Sequence, residues 1–184
     1  MVNNFQWGNM HLPEVYHGTE TERMSLNYRS MFGRLAKQLI VEDKREEALA
    51  TLDRCVDAIP HESIPFNFSM IGAVEAYIEL GDHEKAIDIA NKLGELSADQ
   101  IRYFSKFDKK QAKMLDSEPR IAMSVLQKLA LVARLNNPTA TEEGESSGSS
   151  PEIDQLRTDH FEKMDSLFLE VRDIYYGSPL ASLQ

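Results

Sequence analysis

Metal binding and nucleophilic catalysis both need imidazole, thiol or carboxylate groups converging on one point, and this sequence spreads them out. His11, His17, His61, His83 and His160 are scattered, and none combines a His or carboxylate at i, i+3 or i+4 with a third ligand elsewhere. His83, between Asp82 and Glu84, comes nearest and reads as a solvated turn between helices. Cys55 is the sole cysteine, so neither an internal disulfide nor a thiolate zinc cluster can form, and with no basic partner nearby it reads as a small core residue. The chain has no G-x-S-x-G elbow, no G-x-G-x-x-G and no P-loop. Adjacent acids such as Glu46 and Glu47 suit a helix start, and Glu142 and Glu143 suit a solvated linker. These residues predict no catalytic residue, no metal and no cofactor. They leave a binding surface as the candidate site.

Composition narrows the partners of such a surface. A net charge of -10, from 30 acids against 20 bases, disfavours nucleic acid and anionic lipid, which attract clustered Lys and Arg. No stretch approaches the roughly 18 apolar residues of a membrane span, and M-V-N-N-F-Q-W-G-N-M lacks the basic-then-apolar layout of a signal peptide. The expectation is a soluble domain that binds protein or peptide and does not itself insert into a membrane.

The elements that would position this surface come from apolar periodicity. Residues 1–24, with Gly8, Pro13, Gly18 and the aromatics Phe5, Trp7 and Tyr16, predict an irregular arm whose rings need a surface to rest on. Leu26, Met31, Phe32, Leu35, Leu39 and Ile40 predict a helix to about Val41; Ala48, Leu49, Leu52, Cys55, Val56 and Ile59 predict a second, over 44–59, stopped by Pro60. A second hairpin is expected over 66–80 and 82–96, with Gly81 ending one helix and Asp82 capping the next. A less regular helix is expected over 98–115, then one over 121–135 with Pro119 in its first turn and Asp116 or Ser117 as its cap. Residues 136–151, rich in Gly, Ser and Glu, read as a flexible linker, and 152–177 as a capping helix. The repeat domain proper is thus 25–135.

The run L-I-V-E-D-K-R-E-E-A-L at 39–49 recurs as I-E-L-G-D-H-E-K-A-I at 78–87, a period of 38 that superposes Ala48 on Ala86. Units of this length stack on their neighbours to bury their apolar faces. The pattern resembles the tetratricopeptide repeat: Phe32, Leu35, Ala36 and Leu39 with Ala48, Leu52, Cys55 and Pro60 in one unit, and Met70, Ala73, Val74 and Tyr77 with Ala86, Ala90, Leu93 and Ala98 in the next. The 61–65 insertion lengthens the usual period of about 34. The fold class expected is all-α, a right-handed helical-hairpin repeat of the tetratricopeptide-like solenoid type with a C-terminal capping helix. In such hairpins the first helices line a concave face, which places Arg34 and Lys37 beside Phe68, Ile71, Glu75 and Ile78. A basic patch beside apolar groups suits an extended peptide or a terminal carboxylate.

Five stretches carry a more particular resemblance: V-N-N-F-Q-W-G-N, R-M-S-L-N-Y-R-S-M-F-G-R-L-A, L-D-R-C-V-D-A-I-P, I-R-Y-F-S and D-S-E-P-R-I-A-M-S-V-L-Q-K-L-A. Together they resemble the C-terminal soluble region of multi-pass membrane proteins of Bacteroidetes, a family of unknown function whose membrane portion is similar to protein O-mannosyltransferases. The resemblance spans about 1–135 and 152–176. It implies a non-catalytic accessory module with the upstream membrane domain of the same polypeptide as partner, and, by analogy with sugar transferases, a periplasmic position at the inner membrane. The family's catalytic acids would lie in the membrane portion, so none is carried onto this chain. The alternatives are an assembly module that dimerises through its apolar third hairpin without a peptide ligand, and an independent enzyme.

Overall fold

A computed structural model describes residues 7–115, 117–138 and 150–183. Among these residues every regular element is helical: α1 (Thr19–Val41), α2 (Arg45–Ala58), α3 (Ile71–Leu80) preceded by a 3-10 turn (Phe68–Met70), α4 (His83–Phe104), α5 (Lys109–Ala112), α6 (Glu118–Leu135), α7 (Pro151–Tyr176) and a closing 3-10 turn (Pro179–Leu183). The chain divides into two compact units, Met1–Ile89 and Ala90–Gln184.

In the first unit the two hairpin turns are copies of one another. Asp43 and Gly81, one period apart, both have left-handed backbones, at φ 59° and 87°. The Asp43 N–H donates to the Ile40 carbonyl and the Lys44 N–H to Leu39; one period on, the Gly81 N–H donates to Ile78 and the Asp82 N–H to Tyr77. This pair of bonds closes each helix by satisfying two of its last carbonyls, and it requires a residue at positive φ, which glycine adopts without strain and aspartate at some cost. Asp82 then caps α4, its Oδ1 accepting from the Lys85 N–H at 3.3 Å.

Between the turns, α1 and α3 lie side by side. A Cβ added to Gly33 would sit 3.5 Å from Ala73 N and Gly72 C, so the backbones approach closely there. One turn further on, Lys37 pairs with Glu75, 38 residues away. Because the contacts advance together along both helices, α1 and α3 run parallel in a register of one repeat. Ala36, Ala48, Ala73 and Ala86 are all buried, as close packing demands, while Leu52 and Ile59, with no exposed surface, each contribute roughly 1.5–3 kcal/mol through burial.

The second unit is centred on Ala98, Ile101, Ala112, Ala122, Leu126, Val171, Tyr175 and Leu180. Helices α6 and α7 pack along each other. Arg102 grips the Glu170 carboxylate through Nε and Nη2 at 2.9–3.0 Å, Lys163 donates to Glu95 at 2.6 Å, and Arg157 Nε donates to the Asn136 carbonyl at 2.7 Å.

Several boundaries differ from those expected. Helix α1 begins at Thr19 and not near residue 25, because Gly18 is extended and Glu20 and Glu22 in the first turn favour the positive end of the helix dipole. No separate helix spans 98–115: α4 continues through Ala98 to Phe104, since the position where the repeat would place proline holds alanine. Only Lys109–Ala112 follows as a short helix, held by a capping box in which Asp108 accepts from the Gln111 N–H and Gln111 reaches back. Helix α6 starts at Glu118 with Ser117 in the N-cap position, its side chain making no cap hydrogen bond; Asp116 lies outside the described residues. Of the expected linker, Asn136–Pro138 and Ser150–Pro151 are described, with Ser150 capping α7 and Pro151 in its first turn; 139–149 lie outside the described residues.

Candidate functional site

The loop at 59–65, which lengthens the repeat, is built around a buried charge. Arg29 occupies the inward stripe of α1 with Ser25, Phe32 and Ala36 and has no exposed surface. Its Nη1 donates to the Pro65 carbonyl at 2.9 Å, and its Nη2 to the carbonyls of Ile59 and Ile64 at 3.0 and 2.5 Å. The guanidinium also lies 5.1 Å from the centre of the buried Phe66 ring. Burial lowers its pKa to about 10, with Cys55 opposing the shift, so it stays charged at neutral pH. Three carbonyls that would otherwise be stranded are satisfied. Drawing Phe66 inward also explains why α3 starts at Ile71 and not at 66.

That latch fixes the approach to the predicted surface. Phe68, in the 3-10 turn lying against α1, is 49% exposed. Arg34 is exposed, and Ile71, Glu75 and Ile78 are half-buried. Of the two cations expected to be available, Lys37 is engaged by Glu75; the one-period register that brings α1 beside α3 also brings this carboxylate to it. Of the predicted set, Arg34 and Phe68 are therefore the exposed members, and Lys37 and Glu75 neutralise each other. The arm is committed inward too: Trp7 meets Tyr28 edge-on at 5.4 Å and Phe32 at 5.7 Å, and with Met10 it covers Ala58, Ile59 and Ile64. Tyr16 is 91% exposed, and Phe5 lies outside the described residues.

A second concavity lies outside the surface that the sequence pattern predicts. A cleft of about 490 Å³ is lined by Asp53, Val56 and Asp57 of α2, Tyr77 of α3, and Glu84, Lys85, Asp88 and Ile89 of α4. The Tyr77 hydroxyl donates to Asp53 Oδ1 at 2.9 Å, and Lys85 Nζ donates to the same oxygen at 2.7 Å while lying 3.2 Å from Asp82 Oδ2 and over the Tyr77 ring. Burial, then the Asp53 hydrogen bond, raises the Tyr77 pKa, so its hydroxyl remains a donor. Lys85 is held charged, chiefly by Asp53. The signal for this cleft is in the sequence: Asp53 and Asp57, and Glu84 and Asp88, are carboxylates at i and i+4, an arrangement that destabilises a helix unless a cation serves it.

The residues with nucleophilic or ligating chemistry do not converge. Burial pushes the Cys55 thiol up to about 12, only partly offset by Arg29, so the nucleophilic thiolate is scarce at neutral pH. His160, with Nδ1 3.2 Å from Asn91 Oδ1, is lowered to about 4 by burial and then by Lys163. Among the described residues no group of three or more His, Cys, Asp and Glu side chains is placed to hold a metal ion, and no helix is long and apolar enough to cross a membrane. No family model, curated protein or solved structure matches the chain.

Proposed function

We propose that the chain is a non-catalytic protein-interaction module of tetratricopeptide-like hairpins whose α1/α3 face receives an extended segment of a partner protein. The observation that carries this reading is the pairing of α1 with α3 one repeat apart, which neutralises Lys37 with Glu75 and leaves Arg34 and Phe68 to recognise a chain. A guanidinium takes a carboxylate through two parallel hydrogen bonds, and an aromatic ring supplies a large contact area. The duplicated turns at Asp43 and Gly81 support the repeat reading, in which the hairpins stack right-handedly and α7 serves as the cap.

On the family resemblance, the module serves the membrane-embedded, glycosyltransferase-like portion of the same polypeptide from the periplasmic side, holding a polypeptide acceptor near it. Deleting the module from the intact membrane protein should then change which acceptors are glycosylated. Arg34→Glu combined with Phe68→Ala should reproduce that change. Unchanged glycosylation in both would overturn the reading.

A second reading, self-assembly, is favoured by Leu131 and Leu135, 48% and 72% exposed and one turn apart on α6. It requires light scattering to show a mass that rises with concentration and falls back in Leu135→Glu.

A further inference from the structure

We propose that the corner between α4 and α6, residues 103–114, docks on an anionic lipid surface, with its lysines among the headgroups and Tyr103 and Met114 at the edge of the acyl region. The site lies wholly in the second unit and uses no residue of the α1/α3 face, so its fate is separate from that of the peptide-binding reading.

The ten lysines of the chain divide into two kinds. Among the described residues Lys37, Lys44, Lys85 and Lys163 are each paired with a carboxylate, and Lys92 and Lys128 are engaged as well. The other four, Lys106, Lys109, Lys110 and Lys113, are all exposed, and among the described residues none of their ammonium groups is paired. They fall within eight consecutive residues, where Asp108 is the sole acid, so the run carries +3 on a chain of net charge -10. The Asp108 carboxylate is itself occupied by the N–H groups of Lys110 and Gln111. Lys109 and Lys113 stand one helical turn apart, the Lys113 N–H bonding to the Lys109 carbonyl, and an external anion relieves their repulsion.

Geometry selects a flat anion. Seven of the nine residues 106–114 are exposed, so the segment projects, whereas an extended peptide is received in a groove or along a sheet edge. The corner is nevertheless held firmly: Phe104 and Leu115 pack on the core of the second unit, Ala112 is buried in it, and the capping box fixes the turn between them. Beside the lysines, Tyr103 is 58% exposed and braced edge-on by Phe107 at 5.2 Å, and Met114 is 77% exposed. A bilayer interface retains this combination, with rings at headgroup level and lysine stems lying along apolar material while their ammonium groups reach the phosphates. Lysine, a compact charge on a flexible stem, also follows mobile headgroups, whereas a fixed carboxylate is gripped better by the guanidinium fork. A nucleic acid would run on past the corner over a chain whose balance is acidic. Near an anionic bilayer each lysine strengthens binding about fivefold, and screening beyond about 8 Å lets the local charge outweigh the net charge that disfavours such lipid elsewhere.

The test is sedimentation of the full chain with vesicles of phosphatidylcholine alone and of equal parts phosphatidylcholine and phosphatidylglycerol. The chain should pellet with the anionic vesicles only. Lys110→Gln with Lys113→Gln should weaken that binding at least roughly tenfold, and Tyr103→Ser with Met114→Ser roughly fivefold. The same charge change at paired lysines, Lys44→Gln with Lys163→Gln, should alter it less than about twofold. All six side chains are exposed, and circular dichroism of each variant checks that the fold is kept. A chain that stays in solution, or that pellets equally with both lipids, would overturn the proposal. Equal weakening by the two lysine pairs would do so too, because the attraction would then be general. Binding indifferent to Tyr103 and Met114 would overturn the seating at the interface, since a bare charge contact behaves in that way. Lysine-dependent binding of an oligoglutamate peptide or single-stranded DNA, with the vesicles ignored, would assign the corner to another class of partner and remove this one.

Discussion

The unit Met1–Ile89 and the unit Ala90–Gln184 fill their interiors by different means. The first repeats a turn bond for bond and buries a guanidinium that ties a loop to α1. The second packs aliphatic and aromatic groups from α4, α6 and α7 and keeps its charged pairs, such as Arg102 with Glu170, at the surface. Surface pairs of that kind contribute up to about 1 kcal/mol each, whereas a buried donor serving several carbonyls cannot be removed without leaving acceptors unsatisfied. The difference teaches where each unit is vulnerable: the first at one side chain, the second in the aggregate of its packing.

The sharpest way to break the comparison is Arg29→Met, which keeps volume and removes the donors. It should destabilise the protein by about 3–5 kcal/mol, read as a lowered urea midpoint, and Arg29→Lys should rescue little because an ammonium cannot span the same carbonyls. A loss under about 1 kcal/mol would mean that water satisfies the 59–65 carbonyls and that the latch is dispensable.

A smaller effect concerns acid in the second unit. Burial, then the nearby Lys163, lowers the His160 pKa from its ordinary 6.5 to about 4 in the folded chain, so between those pH values the unfolded chain binds a proton that the folded chain does not. The stability due to neutral His160 is therefore complete above about pH 6.5 and declines as pH falls toward 4. Urea midpoints compared at neutral and mildly acid pH should show a smaller drop in His160→Gln than in the unmodified chain; equal drops would assign the acid sensitivity to other groups.

The smallest expected change is a gain. Asp43 holds a left-handed conformation that its counterpart Gly81 adopts without a Cβ, so Asp43→Gly should stabilise the first hairpin by up to about 1 kcal/mol. A loss in thermal midpoint would show that the carboxylate has a role its copy lacks.

The sequence was most readable where it repeats or is punctuated. Pro60, Gly81, Pro119 and Pro151 mark helix ends or first turns, and α2, α6 and α7 follow their apolar stripes closely. Legibility failed where tertiary demand overrode local signals. Nothing at Ala98 stops a helix, so α4 runs on to Phe104. The capping box at Asp108 and Gln111 was visible as D-x-x-Q, but it supports only one turn. At the predicted surface, the period that suggested the repeat also implied that Lys37 and Glu75 would meet, one period apart. Arg29 could have been suspected because it interrupts a stripe of buried residues, although periodicity alone does not say which partners await it. The signal for the cleft is spread over two helices as acids at i and i+4, and no run of neighbouring residues displays it.

One consequence attaches to Cys55, the chain's sole thiol, which is wholly enclosed and weakly acidic. An alkylating reagent can reach it only while the first hairpin has parted, so the labelling rate is a clock for that opening. The molecule thus carries its own stopwatch for the region that Arg29 holds shut, readable without any engineered probe.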